Sequence, residues 1–463
     1  MSHSLRYGIS ILLALSFAAN LWGQQTPTQS ITIRQAVESA LRNYPAITVT
    51  QEQIDAAAAG IQLARTAYLP RVDSIAQINR ATRNNIFGLL LPQSVIPSIS
   101  GPVLGSNNLG SVWGSAVGAT VTWEPFDFGL RGANVAAATA AKARNEAMLK
   151  RTELEIEVAT ADAFLTLLAA QETVRTAQAG VQRAQSLAQS VKAQVDAQLR
   201  PGADASRTDA ELAATRTQLA QAEQSRDVAR AVLSQFIGIP PPQVTVTEGR
   251  LLQPPPGQPS SSVDVTQHPI AVEQNALVDQ KKAELSVLGK SYVPRFFTQG
   301  SAFARGTGAQ ANGSRLGGVN GLTPDTQNYA LGFSMTFSLF DRAAIHAKEA
   351  GQSATIRAET ARYQQITTDL SARRNIADAT LEGARKIAAN TPVAVSSATT
   401  ANQQASARYQ AGLGTIVEVA DAQRLLTQVE IDDALARLSV WRAMLSVAAT
   451  TGDIQLFLME ATR

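Results

Sequence analysis

Trp113-Gly114-Ser115-Ala116-Val117-Gly118-Ala119-Thr120-Val121-Thr122-Trp123, continuing into Glu124-Pro125-Phe126-Asp127-Phe128-Gly129, is the stretch on which the reading of this chain turns. Every second residue from Trp113 gives Ser115, Val117, Ala119, Val121 and Trp123, while the alternate set is Gly114, Ala116, Gly118, Thr120, Thr122 and Glu124. That is a strand with a mostly apolar face ended by an aromatic on each side, and a small or polar opposite face. At ~3.4 Å per residue the two tryptophans lie ~34 Å apart, and a tilt of ~45° leaves a rise of ~25 Å, the height of the apolar band of a transmembrane β-barrel. A second copy runs Tyr329, Leu331, Phe333, Met335, Phe337, Leu339, ends in Phe340-Asp341, and like the first leads into a long helical segment.

Composition agrees with a chain of this kind. Of 463 residues only 5% are aromatic, and Ala, Gln, Thr and Ser are abundant. Such a chain suits long helices packed along narrow seams and predicts no thick core of large side chains. The net charge of +3 is spread without a basic block, which argues against a nucleic-acid partner. Residues 1–23 have the pattern of a secretory signal peptide: Arg6, an apolar run from Ile9 to Ala19, and Asn20-Leu21-Trp22-Gly23 as the cleavage end. No later stretch has the length and apolarity of a transmembrane helix, so an exported chain that crosses a membrane does so with strands. Cysteine is absent, which removes disulfides, thiol chemistry and an acylated N-terminal Cys.

Taken in order, Ser30 to Leu69 is expected to be helical with an interruption at Pro45, followed by a weak strand at 72–81 and a long apolar loop that includes Ile86 to Ile99. The Trp113 strand (112–124) feeds a helix over 130–199, seventy residues or ~105 Å. Within it Val174, Val181, Ala188, Val195 and Ala177, Ala184, Val191 recur at heptad spacing, a coiled-coil seam. Arg200-Pro201-Gly202 turns the chain into a second helix, 205–236, so the two form an antiparallel hairpin. The Pro/Ser-rich segment 238–266 is a connector. The order then repeats. His268-Pro269-Ile270 answers Tyr44-Pro45-Ala46 and Tyr292-Val293-Pro294-Arg295 answers Tyr68-Leu69-Pro70-Arg71, both at one offset of 224 residues (Pro45 to Pro269, Pro70 to Pro294). The first repeat is 24–237 and the second 267–455, with strands 296–305 and 328–340, a long helix 343–411, a turn at Gly412-Leu413-Gly414 and a helix 415–450; 456–463 is a tail. Pro392 is expected to kink or interrupt the second long helix, because an interior Pro costs ~3 kcal/mol.

Four strands cannot close a barrel, and an open edge in lipid leaves backbone groups unpaired, so other copies of the chain must complete the sheet. Eight strands would be a dimer and twelve a trimer; spacing alone does not choose. Helices that continue from one end of the strands extend such a barrel into a helical tube, and the function that follows is passage across the outer membrane and much of the periplasm.

The order of elements, the paired Tyr-(Leu or Val)-Pro-Arg and Phe-Asp signatures, and Tyr409-Gln410-Ala411-Gly412-Leu413-Gly414-Thr415-Ile416-Val417-Glu418-Val419-Ala420-Asp421-Ala422-Gln423 resemble the TolC family of outer-membrane efflux proteins over roughly 30–455. The resemblance implies a mainly α fold with membrane β: a homotrimer with a twelve-stranded transmembrane barrel and a periplasmic α-barrel. It implies an outer-membrane channel of a tripartite efflux or type I secretion system in a Gram-negative-type bacterium, working with a periplasmic adaptor (membrane fusion) protein and an inner-membrane pump. It also implies a closed periplasmic end, on which the acidic ring falls at Glu418 and Asp421 and the linking tyrosine at Tyr409. The family's basic linking residue corresponds to Gly414, so Arg207 is a candidate for the missing positive charge, and Asp204 or Asp209 for the first-repeat acidic position. Gly202, Gly412 and Gly414 mark the hairpin turns, and Trp113, Trp123, Tyr329 and Phe337 the membrane girdles.

Bland readings exist for each: solvated helix-start carboxylates for Glu418 and Asp421, and ordinary strand aromatics for the tryptophans. A trimeric coiled-coil adhesin with a barrel anchor predicts one terminal barrel domain, and a periplasmic adaptor lacks amphipathic strands; the internal repeat disfavours both. His268 and His346 are far apart in sequence, and no phosphate loop, nucleophile elbow or metal-ligand spacing is present, so no cofactor, metal or catalytic residue is expected.

Overall fold

A computed structural model describes residues 29–82, 110–253, 255, 264–310 and 314–462. The signal segment 1–23 and the loop 86–99 lie outside the described residues. The chain divides into two compact units: Met1–Thr50, Met148–Ala271 and Ile366–Arg463 form one, Gln51–Ala147 and Val272–Gln365 the other.

The second unit carries the sheet. Its strands are β2 (Arg71–Thr82), β3 (Ser111–Phe126), β5 (Arg295–Thr307) and β6 (Thr326–Thr336), in the order β2-β3-β5-β6, every pair antiparallel. The β3–β5 pair joins the two repeats, and a bulge between Trp123 and Phe126 shifts their register near the helix end. Among the described residues the outer edges of β2 and β6 are unpaired. The register aligns one apolar face across all four strands: Val72, Val121, Gly300 and Leu331 form one row, and Ser74, Ala119, Ala302 and Tyr329 the next. The opposite face aligns Asp73, Thr120, Ser301 and Ala330.

This sheet is turned inside out relative to a water-soluble one. Tyr329 and Leu331 are each 83% exposed, whereas Thr120 and Ser301, on the polar face, are 7% and 9% exposed. Gly118 lies on the crowded polar face, where a side chain would collide with Phe303. The strand read as 328–340 ends at Thr336; Phe337 lies beyond it, its ring 5.0 Å from that of Tyr292. The aromatic contact and the bond from the Tyr292 hydroxyl to the Leu339 carbonyl (3.2 Å) fix that segment as a turn toward the next helix.

The strand-to-helix junction after β3 is held by Arg131. Its guanidinium meets the Asp127 carboxylate (3.0 Å) and the Ala67 carbonyl (3.2 Å), and lies 4.7 Å over the Tyr68 ring. Asp127 also accepts from the backbone of Arg131 and Gly129. Burial opposes its ionised form, but these bonds and the Arg131 charge outweigh it and hold the Asp127 carboxyl below the ordinary range. In the second repeat Arg342 takes the same place over Tyr292, at 5.4 Å.

The first unit contains β1 (Gln29–Ile31), α1 (Ile33–Asn43), α4 (Gly202–Ile237), β4 (Val244–Val246), α7 (Ile416–Thr451) and α8 (Gln455–Thr462). Two helices of 67 and 69 residues, α3 (Leu130–Asp196) and α6 (Arg342–Gln410), belong to both units, as does α2 (Pro45–Thr66); α5 is Pro269–Gly289. Along the heptad seam Val174, Ala177, Ala184, Ala188 and Val191 are buried and Val181 and Val195 half-buried, and a Cβ at Gly180 would press on Thr427 of α7 (3.1 Å).

Several expectations are corrected. Ser30 and Ile31 begin no helix: β1 pairs in parallel with β4, which lies inside the Pro/Ser-rich segment read as a connector, and α1 starts after a Thr32–Gln35 capping box. Of the segment read as a tail, residues 456–462 are helical, and α8 buries Phe457 and Leu458. A thick core does exist: Phe164, Leu165, Leu167 and Leu168 of α3 pack with Trp441 and Leu445 of α7, Leu233 of α4 and Leu251. Average composition hides such clustering, since each fully buried large side chain contributes ~1.5–3 kcal/mol wherever it is placed. Finally, α6 runs through Pro392 without interruption. Beside Pro392, the Thr391 hydroxyl donates to the Asp433 carboxylate of α7 at 2.6 Å and ties α6 to its neighbour there. Packing of Ala384 and Leu381 against Val440 and Ala443 secures the same stretch.

Candidate functional site

The two hairpin turns are built alike. After α3, Leu199 N–H donates to the Gln194 carbonyl (2.8 Å) with Gln198 left-handed at φ 59°; after α6, Leu413 N–H donates to Arg408 (2.8 Å) with Gly412 at φ 74°. Both are helix ends closed by a bond five residues back. The special position in the first turn is thus Gln198, while Gly202 is the first residue of α4. Gly414 has another reason to be glycine: a Cβ there would press on Arg408 (3.2 Å) and Glu418 (3.3 Å).

Tyr409, at the end of α6, is buried against Val191, Ile416 and Val419. Arg200 from the other turn clamps it, donating to the Tyr409 carbonyl at 2.8 Å and lying 4.5 Å over its ring. Burial raises the pKa of the Tyr409 phenol, the negative charge of Asp204 raises it further, and Arg200 pulls it back. Asp204 and Tyr409, from different repeats, are therefore brought together.

Glu418 sits in the first turn of α7, where the Thr415 hydroxyl caps its N–H (3.4 Å) and Arg408 faces its carboxylate at 3.9 Å. Asp421, one turn on, is exposed and 3.6 Å from Arg424. Arg424 in turn makes a two-pronged bond to Glu211 of α4, at 3.0 and 3.2 Å. Arg207 and Asp209 are exposed, and among the described residues neither joins this network. The positive charge beside Tyr409 is Arg200, not Arg207. Further along, Arg183 of α3 binds Glu430 and Thr427 of α7, each at 2.8 Å.

These partners were missed because each lies across the fold, more than 200 residues from the residue it holds. The available signals were weak ones: an arginine directly before Pro201-Gly202, and another three residues after Asp421. At the sheet, Trp113 and Tyr329 lie on the apolar face; Trp123 is exposed on it too and donates its indole N–H to the Tyr68 carbonyl at 3.2 Å.

The model of the outer membrane efflux protein family matches residues 36–239 and 270–453, the two repeats in turn. The chain belongs to the outer membrane efflux protein family. As an outer membrane efflux protein it is an outer-membrane channel, and the two repeats of helical hairpins with a shared four-stranded sheet are the family's fold. Solved structures agree. The outer-membrane channel OprN is 20% identical, with 91% of this chain and 89% of that one covered and a TM-score of 0.69. VceC of Vibrio cholerae is 15% identical, covering 91% and 96%, with a TM-score of 0.70. The Campylobacter jejuni outer membrane channel CmeC is 13% identical, covering 93% and 90%, with a TM-score of 0.71. No curated protein sequence matches this efflux protein.

Proposed function

We propose that this efflux channel is a homotrimer whose twelve strands close a single barrel, and that it passively conducts substrates delivered by a periplasmic adaptor and an inner-membrane pump. The observation that carries the reading is the inverted sheet: an exposed apolar face, a crowded polar face and, among the described residues, two unpaired edges. In water each of these features is a liability; in a lipid-embedded ring of copies each is satisfied. Four strands per copy and the ~25 Å apolar height match a barrel of that size. Extraction from outer membrane, a trimer mass in detergent and discrete conductance steps in planar bilayers test it. A monomer soluble without detergent ends it.

Within this reading the hairpin turns form the closed periplasmic end. Glu418 and Asp421, one from each copy, ring the axis and favour cations over anions. The Arg200–Tyr409 clamp, with Asp204 beside it, and the Arg424–Glu211 bridge hold the hairpins of one copy together; Asp209 and Arg207 face outward to a neighbouring copy. The adaptor meets the turns at Leu199 and Leu413, which are 74% and 72% exposed at equivalent positions of the two repeats. Large apolar side chains repeated at such tips are a contact surface for another protein.

A further inference from the structure

Among the described residues of the four strands, the apolar face carries one charge, Arg80. It lies near the end of β2 remote from the helices, directly across from Trp113 in the ladder. Its guanidinium carbon is 5.3 Å over the Trp113 ring, and its Nε donates to the Ser111 hydroxyl at 3.0 Å. The ring and the hydroxyl fix the plane of the guanidinium, yet among the described residues its two Nη atoms have no hydrogen-bond partner. An ion left on a lipid-facing surface is costly unless it reaches the head-group layer and finds an anion there. The second repeat has no counterpart, since the offset of 224 residues places Ala304 at the matching position. The site is therefore a single device of the first repeat and not a general feature of the strand pattern.

We propose that Arg80, oriented by Trp113 and Ser111, binds the phosphate of an outer-leaflet lipid head group. This rests on the reading of the sheet as membrane-embedded. A planar fork of N–H donors held edge-on at the rim of the apolar band suits a phosphate oxygen pair, and a lipid brings that phosphate together with chains that lie along Ile78 and Val117. The arrangement selects for charge and for geometry: a lysine would keep the charge but lose the fork and the stacking.

Native mass spectrometry of the purified trimer tests it. The trimer is presented in turn with diphosphorylated lipid A, with phosphatidylglycerol, and with a glucosyl diacylglycerol that has no phosphate. The expected result is retained adducts of the phosphate lipids, a five-fold or greater loss of those adducts in Arg80→Gln, and a partial loss in Arg80→Lys and Trp113→Leu. Glucosyl diacylglycerol should be retained no better by the native trimer than by Arg80→Gln. Inorganic phosphate at millimolar concentration should not displace the lipid. Displacement would mean a free-anion site and overturn the lipid assignment, as would equal adducts on the native and Arg80→Gln trimers. Conductance of the Arg80→Gln trimer separates the two readings: a conducting trimer with unchanged adducts refutes only the site, whereas a chain that never inserts refutes the membrane reading itself.

Discussion

Tyr409 shows how much one residue holds at the turns. Its ring is buried, its carbonyl is occupied by Arg200, and its hydroxyl lies in the field of Asp204. Charge-assisted bonds and ring contacts of this kind contribute about 1–3 kcal/mol together. Arg200→Ala should therefore loosen the closed end and raise the single-channel conductance in planar bilayers, with Arg200→Lys intermediate; conductance equal to that of the native channel would dissociate the clamp from closure. Glu418→Ala with Asp421→Ala should lower the preference for cations over anions, read as a shift of reversal potential in a salt gradient. Reversal potentials that do not move would take both carboxylates off the pore. At the sheet, Trp123→Asp places a carboxylate at the rim of the apolar face, costs on the order of 1 kcal/mol or more per copy, and removes the bond to Tyr68. Heat-resistant trimers should fail to appear on gels of that variant, and normal trimer yield would mean that residue 123 does not face lipid. That Tyr409, Glu418 and Asp421 lie beside the second hairpin turn was legible in the sequence, because Gly412-Leu413-Gly414 breaks the helical run there. Arg200, Arg424 and Glu211 were not, because long-range pairing leaves no local periodicity.

At the scale of elements, period-two alternation made the strands visible, and the heptad seam and absence of proline did the same for α3. Three-residue strands have no period to detect, so β1 and β4 escaped notice, and α8 is too short for its spacing to stand out from a tail. Those small pieces matter to stability. Glu157 of α3 is half-buried near Asp453, whose carboxylate caps the start of α8 by accepting from the Gln455 N–H (2.7 Å). Burial, then the charges of Asp453 and Glu153, push Glu157 from the ordinary 4.5 up to about 7. A raised folded-state value means the folded form holds the extra proton. Its stabilising contribution is complete below about 4.5 and is lost as pH rises through about 7. Glu157→Gln should thus gain thermal stability over the native chain at pH 8, with the gap closing toward pH 5. A gap of equal size at both values would refute the assignment. Phe457→Ala, which empties a core position, should cost about 3–5 kcal/mol and release α8 first, as rapid amide exchange confined to 455–462 would show.

For the whole molecule, the legible features were those that repeat. One offset of 224 residues aligned the helix that runs to Pro70 with the helix that runs to Pro294, the recurring order of elements extended the match to the strands and hairpins, and the shortage of strands per chain called for other copies. What stayed hidden was the dense core around Trp441, because a percentage reports how many large side chains exist and not where they gather. The proposed assembly makes one more demand that mutation can probe. Leu199→Asp with Leu413→Asp should leave assembly and conductance intact while abolishing co-purification of the adaptor; retained co-purification would move that contact away from the turns.

The β3–β5 ladder has a consequence for how the chain is made. It stitches one repeat to the other through eleven aligned residue pairs, while β1 and β4 both belong to the segment before residue 254. Peptide continuity between the halves is therefore superfluous once they have met: two separately translated fragments, divided between residues 253 and 264, should find each other and build a working pore.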